Sequence, residues 1–360
     1  MDKQLQFMIS KGIDVHVIMP NDGFYFQKVL KREKNVIFHE VPLKRDISIK
    51  YDLISLIKII SILIDIKPDI IHLHTPKASL LGAIAGKVTF HKNIIYQMHG
   101  LVSSGDAKKG LIYFMEKLTC YMSSRVYAVS NSLMEYAVSM NYVSKKKISV
   151  IGNGTINGID SINRFNRNLV DKQKYKLEEK FGNDSFLVGF VGRINNDKGI
   201  KEFVKVIQLL LKNIPVKAIV LGTNEIGPEL NEIIRDNSKL TNNIFILDEV
   251  QDPENVMYIF DVLLLPTKRE GFGLVAAEAN SLKIPVVSYD IPGIRDSIDN
   301  HETGELVNYL DVQNLERSVL EYYNNPKKRK EHGINGRKRV QSLFNQEYLW
   351  NEIYSKYKKM

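Results

Sequence analysis

The segment Asp261-Val262-Leu263-Leu264-Leu265-Pro266-Thr267 runs on through Glu270-Gly271-Phe272-Gly273-Leu274-Val275-Ala276-Ala277-Glu278. The apolar run closed by Pro266 reads as the end of a buried strand. Leu274 to Leu282 is Ala-rich, free of Pro, and reads as a helix. Glu270 therefore sits in a Gly-rich strand-to-helix loop, with Glu278 about one turn inside the helix. A helix N-terminus presents free backbone N–H groups and a positive dipole end, which suits a phosphate. The glycines let backbone approach a ligand closely, and a carboxylate on each side of the loop accepts hydrogen bonds from sugar hydroxyls. The segment describes a site for a sugar joined to a phosphate.

The same strand–loop–helix grammar repeats along the chain. Val15–Met19, Val36–Val41, Ile70–Leu73, Ile94–Met98 and Arg125–Ser130 are short strand-like runs, with helical stretches at Leu53–Ile66, Ala78–Lys87, Leu111–Ser123 and Leu133–Met140. From Gly152 to Gly182 the sequence turns polar and Asn-rich, read as a connection with a short helix near Lys172–Phe181. A second series starts at Phe186–Arg193 and continues with a helix at Ile200–Lys212, strands at Val216–Leu221 and Ile244–Leu247, the Glu270 region, and a strand at Pro285–Ser288. The tail from Asn314 to Lys359 is helical, broken at Pro326. Such βαβ alternation predicts an α/β fold of two doubly wound, Rossmann-like domains with parallel sheets. Ligands of such sheets bind at the carboxyl ends of the strands, placing a substrate in the cleft that the two domains face. The expected boundaries are 1–170 for the N-terminal, acceptor-side domain and 183–340 for the C-terminal, nucleotide-sugar domain. The last helix, 341–360, is expected to pack back on the first.

Composition narrows the classes. With 360 residues, 44% hydrophobic and 25% charged, the chain is long enough for two ordinary domains. A single Cys, Cys120, excludes an internal disulfide framework and fits a reducing, cytoplasmic setting. No stretch approaches 18 uncharged apolar residues; the nearest, Leu53 to Ile66, is interrupted by Lys58 and Asp65. Met1-Asp2-Lys3-Gln4 leads into mixed sequence, so no signal peptide is read. A net charge of +9 calls for an anionic partner. The basic residues are scattered and no nucleic-acid motif is present, so no nucleic-acid partner is expected. A membrane surface or a nucleotide substrate explains the charge.

Gly192-Arg193-Ile194-Asn195-Asn196-Asp197-Lys198-Gly199 follows a strand and opens a helix. Arg193 offers a fork of donors to an oxyanion, and Lys198 a point charge five residues on. By itself the run reads either as a diphosphate cradle or as a solvated turn with two surface cations. Its place on a strand end, in the same domain as the Glu270 loop, favours the cradle.

Taken together, Gly192-Arg193, Lys198-Gly199 and Glu270-x7-Glu278 resemble the signature of the retaining glycosyltransferases of family 4, which have the two-domain GT-B fold. The resemblance runs over nearly the whole chain. His72-Leu73-His74-Thr75-Pro76-Lys77-Ala78, Met98-His99-Gly100-Leu101, Val129-Ser130-Asn131-Ser132 and Ile151-Gly152-Asn153-Gly154 sit where that family has comparable segments. The Thr75-Pro76-Lys77 and His99-Gly100-Leu101 segments look most like members that extend lipid-linked oligosaccharides for bacterial capsule, O-antigen or protein glycosylation. The resemblance implies that Arg193 and Lys198 bind the donor diphosphate. It gives Glu270, with Gly271, Phe272, Gly273 and Leu274, to the donor sugar and Glu278 to the ribose hydroxyls. It also places His99 near the sugar being transferred, so His99, Glu270, Lys198 and Arg193 form the expected catalytic set. His74, Thr75 and Lys77 are the acceptor-side candidates. No metal and no cofactor is expected: protein cations neutralise the leaving diphosphate in this family, and no Asp-x-Asp pair is present. Relatives begin with a strand and a Gly-rich loop, whereas Met1–Leu5 reads as already inside the first helix, so that strand is expected to be missing.

The remaining motifs are weaker. His99 ends a strand, and reads either as cleft-facing or as satisfied by backbone. His72 and His74 alternate on one face of a strand but lack further metal ligands. Gly152-Asn153-Gly154-Thr155-Ile156-Asn157-Gly158 is rejected as a dinucleotide fingerprint because its spacing is wrong and no helix follows; it reads as hinge and cleft floor. The runs Lys145–Lys147 and Lys327–Lys330 read as solvated faces, or as contacts to anionic headgroups at about 1 kcal/mol per charge. The sequence therefore predicts a retaining transferase moving a sugar from a nucleotide donor, a UDP-N-acetylhexosamine or related UDP-sugar, to a lipid-diphosphate-linked saccharide. It would sit peripherally on the anionic inner face of the cytoplasmic membrane. The alternatives are a nucleotide-sugar epimerase or hydrolase of the same fold, or a truncated nucleotide-binding protein without transfer activity.

Overall fold

A computed structural model describes residues 3–21, 33–44, 46–101, 109–181, 185–235 and 238–360. Met1, Asp2, Gly182 and the expected domain start at residue 183 lie outside the described residues. The chain divides into two compact units, one made of Met1–Gly158 and Gln346–Met360, the other of Ile159–Asn345.

In the first unit the described chain opens with α1 (Gln4–Ser10), followed by the parallel pair β1 (His16–Met19) and β2 (Ile37–Glu40). A separate four-stranded sheet holds β3 (Ile71–Leu73), β4 (Ile94–Met98), β5 (Arg125–Ala128) and β6 (Ile148–Val150), all parallel and in sequential order. Helix α2 (Ile49–Ile66) leads into β3, and the crossovers are α3 (Pro76–Val88), α4 (Lys109–Met122) and α5 (Asn131–Ser139). All five residues of β4 are buried, which explains its continuous apolar run with the single polar Gln97. Ser130 caps α5, its side chain accepting from the Leu133 N–H. The C-terminal helix Gln346–Tyr357 belongs to this unit: Leu349 and Ile353 share a core with Met8, Ile95, Tyr127 and Ile151. Trp350 is buried there, its indole N–H donating to Asn157 Oδ1 at 2.9 Å.

The second unit has one six-stranded sheet. Its strands are β7 (Phe186–Val191), β8 (Val216–Leu221), β9 (Ile244–Leu247), β10 (Val262–Leu265), β11 (Val286–Tyr289) and β12 (Gly304–Val307). The spatial order is β12-β11-β10-β7-β8-β9, and every neighbouring pair is parallel. The first strand of the series thus lies beside the fourth, and the connections diverge from that seam. Between β7 and β10 the crossovers lead off to opposite sides, leaving an opening at the strands' carboxyl ends where ligands bind. The helices are α6 (Leu177–Phe181), α7 (Ile200–Leu210), α8 (Glu229–Arg235), α9 (Ser238–Asn243), α10 (Glu254–Met257), α11 (Leu274–Ser281), α12 (Ile294–Ser297), α13 (Val312–Asn324) and α14 (Pro326–Leu343). The break at Pro326 falls where the sequence puts it. Asn325 accepts from the Lys328 N–H and caps α14, with Pro326 at the first helical position. Of the Lys327–Lys330 run, Lys328 bridges Glu305 and Glu321 at 2.8 and 2.7 Å, and Arg329 pairs with Asp261 at 3.3 Å. Those two cations are tied to structural partners within the second unit.

Candidate active site

The loops after β7 and β10 flank the seam of the second sheet, and these are the two loops singled out in the sequence. Several hydrogen bonds fix them. The Asn195 side-chain oxygen accepts from the Lys198 N–H at 2.9 Å, folding the loop back on itself. The Lys268 N–H donates to the Asp197 carbonyl at 2.8 Å, and the Arg269 guanidinium pairs with the Asp197 carboxylate at 2.6 Å. Gly199 has a φ of +76°, and a Cβ there would lie 1.9 Å from the Pro266 carbonyl oxygen. Only glycine lets these two loops come so close.

That approach brings Lys198 Nζ onto Glu270 Oε1, a direct ion pair between residues 72 apart in sequence. Both side chains are largely shielded, at 24% and 19% exposure. Arg193 Nη1 lies 3.2 Å from both carboxylate oxygens of Glu225, and Asn195 Nδ2 donates to Glu225 Oε2 at 2.7 Å. Glu225 was missed in the sequence. The available signal was positional: it follows β8, the parallel neighbour of β7, so its loop opens at the same end of the sheet as Arg193.

Gly273, at a φ of +76°, precedes α11 and offers no capping side chain. The first N–H groups of that helix are left without a side-chain acceptor from the cap, an arrangement that receives anionic oxygens. The Phe272 ring turns inward and packs edge-on against Phe344, with centroids 4.9 Å apart. Glu278 lies one turn into α11, where burial pushes its carboxyl up to about 8; Arg164 opposes the shift and Glu254 adds to it. Arg164 is itself held by Glu254 at 2.9 Å and by the Gln251 carbonyl at 2.8 Å.

In the first unit, His99 follows β4 and His74 follows β3, and these strands are parallel neighbours. His99 Nε2 and His74 Nδ1 are 2.9 Å apart, and the rings stack with centroids at 5.1 Å. His72 stacks on His74 at 4.5 Å and shares a hydrogen bond of 2.5 Å with the Tyr357 hydroxyl. Burial pushes His72 and His99 down to about 4 and His74 well below the usual range, so all three rings are neutral near pH 7. Thr75 has a φ of +68° and precedes α3. Lys77 Nζ donates to the carbonyls of Lys44 and Asp46 and pairs with Asp52, fastening a loop to α2. Among the described residues no group of three or more His, Cys, Asp or Glu is arranged to hold a metal ion.

Two family models match this chain, Glycosyltransferase Family 4 over residues 4–156 and Glycosyl transferases group 1 over residues 171–339. The Staphylococcus aureus capsular polysaccharide biosynthesis glycosyltransferase CapM is 36% identical over 362 residues, covering 98% of this chain and 92% of that protein. The chain is a family 4 glycosyltransferase. An Escherichia coli UDP-Gal:alpha-D-GlcNAc-diphosphoundecaprenol alpha-1,3-galactosyltransferase is 26% identical, covering 84% of this chain and 81% of that one. Among solved structures, Anabaena Alr3699/HepE in complex with UDP-glucose superposes with a TM-score of 0.80 at 19% identity, covering 100% of this chain and 96% of that one. A Rickettsia africae glycosyltransferase gives 0.80 at 20% identity, covering 99% and 93%. At such identities these structures establish the fold, which is GT-B, as the sequence resemblance implied. Among the described residues no helix is long and apolar enough to cross a membrane.

Proposed function

We propose that this family 4 glycosyltransferase moves a sugar from a UDP-sugar, of the UDP-N-acetylhexosamine kind, to a lipid-diphosphate-linked saccharide of a surface polysaccharide. The single observation carrying this reading is the Lys198–Glu270 pair beside Arg193 at the seam of the second sheet. It joins cations suited to a diphosphate with a carboxylate suited to sugar hydroxyls. The names of the S. aureus and E. coli relatives support the capsule context, the uridine donor and the lipid-diphosphate acceptor.

The roles follow from charge and position. Arg193 and Lys198 stabilise the diphosphate as the anomeric C–O bond breaks and its electron pair passes to the phosphate oxygen. Glu270 and the backbone N–H groups of the Gly271–Leu274 turn hold the sugar, and Glu278 accepts from the ribose hydroxyls. The acceptor oxygen attacks the anomeric carbon from the face the leaving group vacates, its proton passing to the departing phosphate oxygen. This gives retention. His99, kept neutral by burial, serves the transferred sugar as a hydrogen-bonding group without a charge. His74 and Thr75 belong to the acceptor side, while Lys77 acts there through the loop it fastens. The net charge of +9 supports peripheral, salt-sensitive attachment to an anionic membrane face.

Incubation with a panel of nucleotide sugars and short-chain lipid-diphosphate acceptors tests the reading. Acceptor-dependent product with the donor's anomeric configuration is expected. Product of inverted configuration rejects the mechanism, and sugar release that ignores the acceptor points to a hydrolase.

A further inference from the structure

The helical layer α2–α3–α4 of the first unit has an outer surface that no packing within that unit uses. On α2 the inner face is clear: Ser55, Ile59 and Leu63 are buried. Yet Ile49, Leu53, Ile57 and Ile64 are exposed, Ile49 at 86% and Ile57 at 59%. Spaced i, i+4, i+8 and i+15, they fall within an arc of about 80° at 100° per residue, so they form one stripe and not scattered singles. On α4 the exposed Leu111, Phe114 and Tyr121 repeat the pattern at i, i+3 and i+10, with Phe114 at 61% and Tyr121 at 79%. Between them α3 packs against both helices, and its far end carries the exposed Val88, followed by Phe90.

Exposed charge on this layer is mostly positive. Lys50, Lys58, Lys87 and Lys117 are exposed on the three helices, and Asp65 is the one exposed acidic residue there among the described residues. Asp52 points into the layer and is paired with Lys77, and Glu116 is buried. Apolar stripes interleaved with lysines, on helices too short in apolar length to span, have the make-up of surfaces that lie in a bilayer interface. Lysine stems then run along the acyl boundary while their ammonium groups reach the phosphates. A second copy of the chain would meet the same lysines like against like, which disfavours a self-complementary contact.

We propose that the outer face of α2, α3 and α4 docks on an anionic lipid bilayer surface, the two stripes entering the headgroup boundary and Lys50, Lys58 and Lys117 pairing with lipid phosphates. This rests on the lipid-linked acceptor proposed above, and gives that acceptor's membrane a specific place on the protein.

The test is cosedimentation of the full chain with phosphatidylcholine vesicles, with and without phosphatidylglycerol. Three forms are compared with the parent: Leu53→Ser/Ile57→Ser/Phe114→Ser, Lys50→Gln/Lys58→Gln/Lys117→Gln, and the control Leu169→Ser, an equally exposed apolar residue of the second unit. The parent and the control are expected to bind anionic vesicles alike. The serine triple should bind at least about tenfold more weakly, and the glutamine triple should lose only the phosphatidylglycerol-dependent part. Transfer to a short-chain, water-soluble acceptor should be unchanged in all four, which also shows that the variants are folded. Equal vesicle binding by parent and serine triple overturns the docking face, as does a parent that binds no vesicles. A serine triple that changes oligomeric state while still binding vesicles assigns the face to a second copy instead. Absent transfer to the short-chain acceptor in the parent sinks the functional reading separately, because vesicle binding is scored without it.

Discussion

Replacing Glu270 by Gln should tighten binding of bare uridine diphosphate while slowing sugar transfer. The Glu270 carboxylate is ion-paired with Lys198, the cation proposed above for the diphosphate. A nucleotide arriving without a sugar must share that ammonium with a carboxylate and take up a position near it. For like charges about 6 Å apart, Coulomb's law gives about 3 kcal/mol at an effective dielectric of 20 and under 1 kcal/mol in bulk water. Both side chains are about four-fifths shielded, so about 1 to 2 kcal/mol of repulsion is relieved when the carboxylate becomes an amide. That is about five- to thirtyfold in Kd. Gln keeps an oxygen able to accept from Lys198, so the lysine stays in place. A donor carrying its sugar loses a charge-assisted hydrogen bond instead, and kcat/KM for transfer should drop by about tenfold. Isothermal titration calorimetry with uridine diphosphate and steady-state transfer assays on one preparation measure both. Uridine diphosphate affinity that falls or stays level in Glu270→Gln refutes the argument that Glu270 and the diphosphate compete for Lys198.

Three further outcomes follow from the geometry. Gly199→Ala forces a side chain into a left-handed φ of +76° and against the Pro266 carbonyl, so it should cost about 3 kcal/mol or more of stability, read as a fall in Tm. An unchanged Tm would mean that the two loops are not clamped there. Glu278 has a folded pKa of about 8 against an unfolded value of 4.5, so its ionisation penalises the folded state progressively as pH rises from about 4.5 to 8 and fully above that. Glu278→Gln should therefore raise Tm at pH 8 and leave it nearly unchanged at pH 5, and an equal difference at both pH values contradicts the burial. Because burial pushes His72 and His99 down to about 4 and His74 well below its usual range, the pH profile of kcat/KM should show no imidazole step between pH 5 and 7 that His99→Asn or His74→Asn removes. A step near 6.5 lost in either variant would show an exposed, ionising ring.

Much of the fold was readable because its strands announce themselves by composition. Ile94–Met98 and Phe186–Val191 are buried on both faces, so they are continuous apolar runs, and both were read to within two residues. The strands that escaped are those whose burial is partial or whose residues serve two purposes. β6, Ile148–Val150, is three residues long at a sheet edge and follows three lysines that read as a solvated run. β12, Gly304–Val307, contains Gly304 and Glu305, both poor strand formers, yet Gly304 is required there: a Cβ would lie 2.2 Å from the Val286 carbonyl of the neighbouring strand. The break between α14 and the C-terminal helix, expected at residue 341, falls instead at Phe344 and Asn345. No Pro marks it; the chain turns at Phe344 and Asn345 because the Phe344 ring is needed in the second unit's core against Phe272, a tertiary demand that local propensity does not carry.

The site shows the same division between what residue type reveals and what only proximity can. Arg193, Lys198, Glu270 and Glu278 stand out as candidates in the sequence because a strand–Gly-rich loop–helix unit leaves few roles for a charged residue at its mouth. Their partners do not. Glu225 sits among Thr223, Asn224 and Ile226 in a loop with no motif, and only the β7–β8 pairing brings it to Arg193. From sequence, Glu270 and Lys198 are two independent ligands of one substrate; in the structure they are ligands of each other. That changes what neutralisation means for this site. With Glu225 on Arg193 and Glu270 on Lys198, these two cations are each paired with a carboxylate and do not form a bare positive patch. Attraction for any free phosphate is then weak, and a ligand gains most when it can replace both carboxylates' hydrogen bonds at once. The diphosphate proposed above, meeting Arg193 and Lys198 together while its sugar re-engages Glu270, would do so. If Arg193 and Lys198 hold the diphosphate as proposed, selectivity for an intact sugar nucleotide over simple anions resides in the ion pairs themselves.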